Sequence, residues 1–304
     1  MMTMTTSEIR NILVPLDGSA LAESSLPPVL TLARVTGATV TLLHVLEHDA
    51  PESVHGELHL SEEDESSAYL ADVVRRWGGS TTFAQHVHPN PEHDIAASIA
   101  QHASELDADL IAITTHGGGG IRGFVFGRIA QQVLQQTDRP VLVVRPKQQS
   151  ARQFECPRIA VTLDGTADAA QALPLARDLA TALGAELTLI RVVPTLGAIR
   201  GERTVPATML PTATAALLEM QVREAARYLV GVRDEIGDPS IVALVRRGDV
   251  ADEIAAAVNE TDCRLVLLST HGKAGLEGFF TGSVAAKILD HVRQPVILLR
   301  SVRK

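Results

Sequence analysis

The chain repeats itself, and the repeat limits its fold more than any other feature. Ile12-Leu-Val-Pro-Leu-Asp17-Gly18-Ser19-Ala20 matches Ile159-Ala-Val-Thr-Leu-Asp164-Gly165-Thr166-Ala167. The same offset carries Gly37 to Gly184, and Val40-Thr-Leu-Leu-His-Val45 onto Leu187-Thr-Leu-Ile-Arg-Val192. Further along, the second copy has gained a few residues. There His116-Gly117 matches His271-Gly272, and Gly127 matches Gly282. Arg139-Pro-Val-Leu-Val-Val-Arg145 matches Gln294-Pro-Val-Ile-Leu-Leu-Arg300. An ordered series of this kind is a tandem duplication. The 304 residues therefore divide into two domains of ordinary size, 1–148 and 149–304, about a polar junction.

Each half alternates apolar runs with amphipathic segments. Ile12–Leu16 and Ile159–Leu163 read as buried strands that end in an Asp-Gly turn. Helical patterns follow over 21–36 and 169–183. Each holds a proline, which predicts a kink or a late helix start. Gly37 and Gly184 fall where a helix C-cap belongs. Second strands are expected over 40–46 and 187–193, and third strands over 81–87 and 241–245. Helices over 95–106 and 250–258 lead to fourth strands at 110–114 and 265–269. A glycine loop, a helix and a fifth strand, at 141–144 or 296–299, close each half. Strands alternating with helices imply a parallel sheet covered on both faces. The expected fold is α/β, with two tandem, doubly wound, Rossmann-like domains of five mostly parallel strands each.

Composition excludes several functions. Hydrophobic residues make up 45%, enough to bury a core without disulfides or metals. No apolar run approaches the roughly 18 residues of a membrane span, so no membrane partner is expected. Met1 to Arg10 lacks an apolar signal-type stretch. Cys156 and Cys263 alone make neither a disulfide framework nor a thiolate cage. The cytoplasm is the expected compartment. A net charge of −9 disfavours nucleic acid as a partner. Much of that charge lies in Asp49–Asp72, with eight acidic residues and no Lys or Arg. This segment reads as a solvated loop and helix face, or as a partner surface near the first pocket. Its equivalent, Thr195–Ala216, is rich in Pro and Thr.

Ligands of open parallel sheets bind beyond the carboxyl ends of the strands. After the first strand stand Asp17 and Asp164. After the fourth come Thr114-Thr-His-Gly117 through Gly127-Arg128, and Ser269-Thr-His271-Gly272 through Gly282-Ser283. Glycines there let backbone N–H groups approach an anion, and the next helix offers its positive end. Neither a Walker loop nor a dinucleotide fingerprint is present. His116 and His271 have no positioned partner, so loop-fixing bonds are expected and no catalytic residue is assigned. His55 and His59 have helical spacing, and His86 and His88 share a strand face. Without a thiolate or a further ligand signature, no metal is assigned to them.

The early Asp and the late Gly-x2-Gly-x9-Gly-Ser/Thr loop resemble the universal stress protein family in its tandem form. The resemblance covers nearly the whole chain. It implies an adenine nucleotide alpha hydrolase-like fold and ATP, with Mg²⁺, as ligand. It implies adenosine contacts from Asp17 or Asp164 and adenine contacts from the backbone of Val45 or Val192. It implies phosphate contacts from Gly117 and Gly127, or from His271, Gly272, Gly282 and Ser283. Thr114 and Ser269 replace the first motif glycine. Arg128 replaces the last Ser/Thr of the first loop, and two readings stay open there: bidentate phosphate binding or a filled pocket. The second site therefore ranks above the first. The resemblance also implies pairing through the fifth strands, here between the halves of one chain, with a homodimer as an extension. The leading reading is a nucleotide-dependent sensor or regulator. The alternatives are an interaction module that binds no nucleotide, and a slow ATPase.

Overall fold

The computed structural model describes residues 9–48, 53–54, 57–115, 128–146, 153–195, 211–270 and 284–301. The chain divides into two compact units. One is Met1–Glu155 with Pro295–Arg300, the other Cys156–Gln294 with Ser301–Lys304. Each half of the sequence contributes five strands to a mostly parallel α/β architecture, as the alternating pattern requires.

In the first unit, β1 (Asn11–Pro15) sits between β2 (Thr39–Glu47) and β6 (Leu110–Thr114), parallel to both. β2 pairs in turn with β5 (Phe83–Glu92), the outermost strand, and β6 with β7 (Val141–Val144). A two-residue hairpin, β3 (Ser53–Val54) and β4 (Glu57–Leu58), stands apart from this sheet. Every residue of β6 is buried, as expected for a parallel strand covered on both faces. The last strand of the sequence, β12 (Val296–Arg300), belongs to this unit and runs antiparallel to β7. β7 thus has a neighbour on each side.

The prolines act as expected. A 3-10 turn at Ala22–Ser25 precedes α1 (Leu26–Thr36), whose first turn holds Pro27 and Pro28. Pro at the first helical positions loses no intrahelical bond. Gly37 ends the helix in the left-handed region at φ 73°. Helix α2 (Glu63–Trp77) takes up the end of the acidic segment, whose composition alone does not separate helix from loop. It carries Glu63, Asp64 and Glu65 in its first turn and Arg75 and Arg76 in its last. Both groups complement the helix dipole. Glu62 to Glu65 are exposed, which agrees with a solvated acidic face. α3 (Ile95–Glu105) is capped by Asp94, which accepts from the Ala97 N–H at 2.9 Å. α4 spans Arg128–Gln136.

The second unit repeats the plan. β8 (Arg158–Thr162) lies between β9 (Glu186–Pro194) and β11 (Leu265–Thr270), and β10 (Val242–Gly248) flanks β9, all parallel. The helical pattern after β8 is broken into α5 (Ala167–Ala170) and α6 (Ala172–Leu183), which ends at left-handed Gly184. The longest helix among the described residues, α7 (Pro211–Ile236), begins inside the Pro/Thr-rich segment. Its Tyr228-Leu229 matches Tyr69-Leu70 of α2, with Leu70 and Leu229 fully buried in both copies. α8 (Val250–Glu260) is capped by Asp249, the counterpart of Asp94. α9 (Val284–His291) follows the second glycine loop. Among the described residues, no helix is long and apolar enough to cross a membrane.

Candidate functional site

In the second unit the neighbours of β8 diverge: β9 lies on one side and β11 on the other. The carboxyl ends of β8 and β11 therefore face a crevice at the switch point of the sheet. Asp164 leaves β8 at that place. Its Oδ1 accepts from the Thr166 N–H at 2.8 Å and from the Thr166 hydroxyl at 2.6 Å. Thr166 in turn caps α5 by accepting from the Ala169 N–H. Gly165 between them has φ 93°, a conformation that side chains rarely adopt. A Cβ there would also meet the Arg191 guanidinium at 2.8 Å. The backbone conformation thus favours glycine, while a Cβ would displace the end of the Arg191 side chain.

A cavity of about 580 Å³ opens at this position, within the size range of small-molecule sites. Asp164, Val192 and Ser269, three of the residues singled out in the sequence, line it together. Leu163, Ile190, Val193 and Leu268 make one wall apolar, while Arg191 and Glu224 add charge. Two buried hydroxyls, Thr162 Oγ1 and Ser269 Oγ, have no hydrogen-bond partner among the described residues. Both residues line the cavity. An unsatisfied buried hydroxyl costs stability unless a ligand or water completes it. The first turn of α9, at Val284 and Ala285, closes one side.

Sequence reasoning missed Arg191 and Tyr228. The Arg191 guanidinium stacks over the Tyr228 ring at 5.1 Å. Burial pushes the Tyr228 phenol up, Arg191 pulls it down and Asp164 pushes it up again. The signal for Arg191 was present in the repeat, where it aligns with His44. The Tyr69-Leu70 and Tyr228-Leu229 match carried a signal for Tyr228, though a weaker one, since it lies outside the strands and loops that anchor the repeat. His271, Gly272, Gly282 and Ser283 lie outside the described residues.

The first unit holds the same turn with different surroundings. Asp17 Oδ1 accepts from the Ser19 N–H at 2.9 Å and the Ser19 hydroxyl at 2.6 Å, and Gly18 has φ 92°. Where Gly165 faces Arg191, Gly18 faces the Leu60 side chain at 3.0 Å. Thr114, the counterpart of Ser269, donates its hydroxyl to Ala22 O at 3.1 Å. The counterpart of Thr162 is Pro15, which has no hydroxyl. Val45 is buried. Arg128 opens α4, but its side chain lies outside the described residues, as do His116, Gly117 and Gly127.

His44, the counterpart of Arg191, is buried with Nδ1 2.7 Å from Leu16 O, so Nδ1 carries the hydrogen. Burial lowers its pKa below the ordinary 6.5; the Leu16 and Leu60 carbonyls and Asp17 oppose this, and His59 adds to it. A histidine held neutral when folded takes up its proton more readily when unfolded. Its stabilising contribution is therefore complete above the ordinary histidine range and is lost as pH falls through it. Thermal melting should show the first unit less stable at pH 5.5 than at pH 7.5. His86, also lowered by burial, acts in the same direction. A His44→Asn variant should show a shallower pH slope. An unchanged slope would contradict this assignment.

The Universal stress protein family model matches residues 8–145 and 156–300. A Mycobacterium tuberculosis universal stress protein is 25% identical over 193 residues. That match covers 63% of this chain and 58% of the relative, so the chain spans less than two thirds of that relative's length. A universal stress protein of Mycolicibacterium smegmatis is 23% identical over 301 residues, with 95% of this chain and 96% of the relative covered. The crystal structure of a universal stress protein from Archaeoglobus fulgidus superposes with a TM-score of 0.70 at 17% identity, covering 97% of each chain. At that identity the likeness is one of fold. Two tandem α/β units, each with an Asp-Gly turn at the switch point of its sheet, define the class. The chain belongs to the universal stress protein family.

Proposed function

We propose that the chain binds an adenine nucleotide, ATP with Mg²⁺, in the cavity of the second unit, and acts as a nucleotide-dependent regulator or sensor in a cytoplasmic stress response. The observation that carries this reading is a contrast between the units. Thr162 and Ser269 are among the residues that line the cavity, and their buried hydroxyls have no partner among the described residues, whereas Thr114 is bonded and Pro15 has no hydroxyl. A ligand rich in polar atoms on an apolar base suits such a lining.

In this reading Asp164 meets the adenosine part and the Val192 backbone meets the adenine. Ser269 takes a phosphate oxygen, with His271, Gly272, Gly282 and Ser283 around the phosphate chain. Arg191 supplies a cation near the same mouth, and the start of α9 a positive dipole end. The first site, with Asp17, Val45, Thr114, Gly117, Gly127 and Arg128, binds more weakly. Leu60 over Gly18 favours a second reading for that unit alone, as an interaction module without nucleotide. Pairing of the halves through the fifth strands completes the proposal and is supported by the β7–β12 register. A homodimer through further strand pairing extends it.

The test is mass spectrometry of ligand released from freshly purified, denatured protein. An adenine nucleotide at up to one equivalent per chain is expected. Its absence, together with no exchange into added ATP, would overturn the proposal. Phosphate release above background, lost in Asp164→Ala, would move the reading to a slow ATPase.

A further inference from the structure

Three histidines meet at the outer edge of the first unit's sheet. β5 is the last strand of that sheet, and His86 and His88 stand two residues apart on one of its faces. His102, in the last turn of α3, faces both. Its ring centroid lies 4.9 Å from that of His86 and 4.9 Å from that of His88, edge-on to the latter. One ring nitrogen from each histidine lies within 4.8 Å of the others. His102 is buried, while His86 and His88 are half-buried.

We propose that His86, His88 and His102 form a binding site for a divalent late transition ion of the Zn²⁺ type. Three imidazoles with a fourth position left to water match an open tetrahedral site. Imidazole nitrogen suits Zn²⁺, Cu²⁺ or Ni²⁺ and not Mg²⁺ or Ca²⁺. The site is thus chemically distinct from a Mg²⁺–nucleotide site.

Hydrogen bonds fix the ring hydrogens of two of the three histidines. His102 Nδ1 lies 2.7 Å from Ser98 O. A carbonyl only accepts, so Nδ1 carries the hydrogen and Nε2 keeps its lone pair. His88 Nε2 lies 3.0 Å from Glu92 Oε1, so in the neutral ring Nδ1 keeps the lone pair. A backbone carbonyl and a carboxylate are the partners that orient metal-bound histidines.

Zinc–nitrogen bonds of about 2.0–2.1 Å put tetrahedral ligand nitrogens about 3.4 Å apart. The three nitrogens must close in by up to about 1.4 Å from their present bound of 4.8 Å. The half-buried rings on an edge strand leave room for that closure and a path from solvent.

The cluster belongs to one half alone. β5 pairs His86 with Leu43 and His88 with Val45, and β10 pairs Leu244 with Ile190 and Arg246 with Val192. Through the β2–β9 repeat, His86 and His88 correspond to Leu244 and Arg246. His102 corresponds to Ala257. The scaffold therefore does not require imidazoles at these places. His86 and His88 were visible as a strand pair. His102 was not, because only the packing of α3 on β5 brings it to them.

Untagged, full-length protein, stripped with chelator and free of nucleotide, is titrated with Zn²⁺ by calorimetry. One tight equivalent per chain is expected, and excess Mg²⁺ should not displace it. His86→Gln and His88→Gln should each weaken binding at least tenfold. His93→Gln should not, although His93 stacks on His48 at 4.1 Å nearby. Co²⁺ in the unmodified protein gives a second readout, through the visible absorption of a tetrahedral nitrogen site. No Zn²⁺ binding, no tetrahedral Co²⁺ spectrum, or binding unchanged in both glutamine variants would each overturn the proposal.

Discussion

Asp164→Ala should lower ATP affinity by roughly 10- to 100-fold, while Asp17→Ala should change it less than about threefold. The estimate rests on the worth of a hydrogen bond to a charged group, about 1.5–3 kcal/mol. Asp164 stands at the mouth of the second unit's cavity and is held in place by Thr166. Asp17 is held in the same way by Ser19, but beside the Leu60 side chain and a Thr114 hydroxyl already bonded to Ala22 O. The two turns have the same local geometry, so a difference in affinity reports what surrounds them. Asp164→Asn keeps an acceptor for Thr166 and should fall between the parent and the alanine variant. Calorimetric titration of the variants measures all of this. Equal losses at Asp17 and Asp164 would refute the ranking of the sites.

Glu23→Ala should destabilise the first unit by about 2–3 kcal/mol, seen as a lower melting temperature in a scan that resolves that unit. Glu23 is a buried carboxylate. It takes two bonds of 2.7 Å from the Arg76 guanidinium, one of 3.0 Å from the Trp77 indole and one of 3.3 Å from the Tyr69 hydroxyl. Together these tie the 3-10 turn before α1 to the last turns of α2. Burial, and then the Glu23 and Asp17 charges, drive the Tyr69 phenol well above its ordinary range. Removing Glu23 takes this acceptor from both the indole and the phenol. Arg76 retains Asp72 at 2.6 Å and is partly exposed, which keeps the loss below that of a fully buried pair. Glu23→Gln keeps an oxygen acceptor but loses the charge, and should cost about half as much. A loss under about 0.5 kcal/mol for the alanine variant would contradict this account.

Most of the fold was legible because each strand is short, apolar and closed by a turn residue. β6 and β7 fall on the expected residues, 110–114 and 141–144, since buried parallel strands are continuous apolar runs. The late helix starts, with prolines in the first turn, and the glycine caps follow from rules local to the chain. What stayed hidden was amphipathic or tertiary. α2 was obscured because its exposed acidic first turn reads the same in a loop as in a helix. α7 was obscured because its first residues are rich in Pro and Thr, although its later turns bury Ala225, Leu229 and Val232. At the site, Asp164, Val192 and Ser269 were found because they end strands at the switch point. Arg191 and Tyr228 were missed because their stacking joins β9 to a helix far along the chain. The glycines of the loops carry no side-chain pattern, and only their spacing spoke for them.

The proposed nucleotide site is the cavity lined by Asp164 and Ser269. Calorimetric titration of the full chain with ATP and Mg²⁺ tests it most directly. Saturable binding with one dominant site per chain is expected, abolished in an Asp164→Ala, Ser269→Val double variant that still melts cooperatively. No heat at millimolar ATP, or full binding retained by that variant, would contradict it.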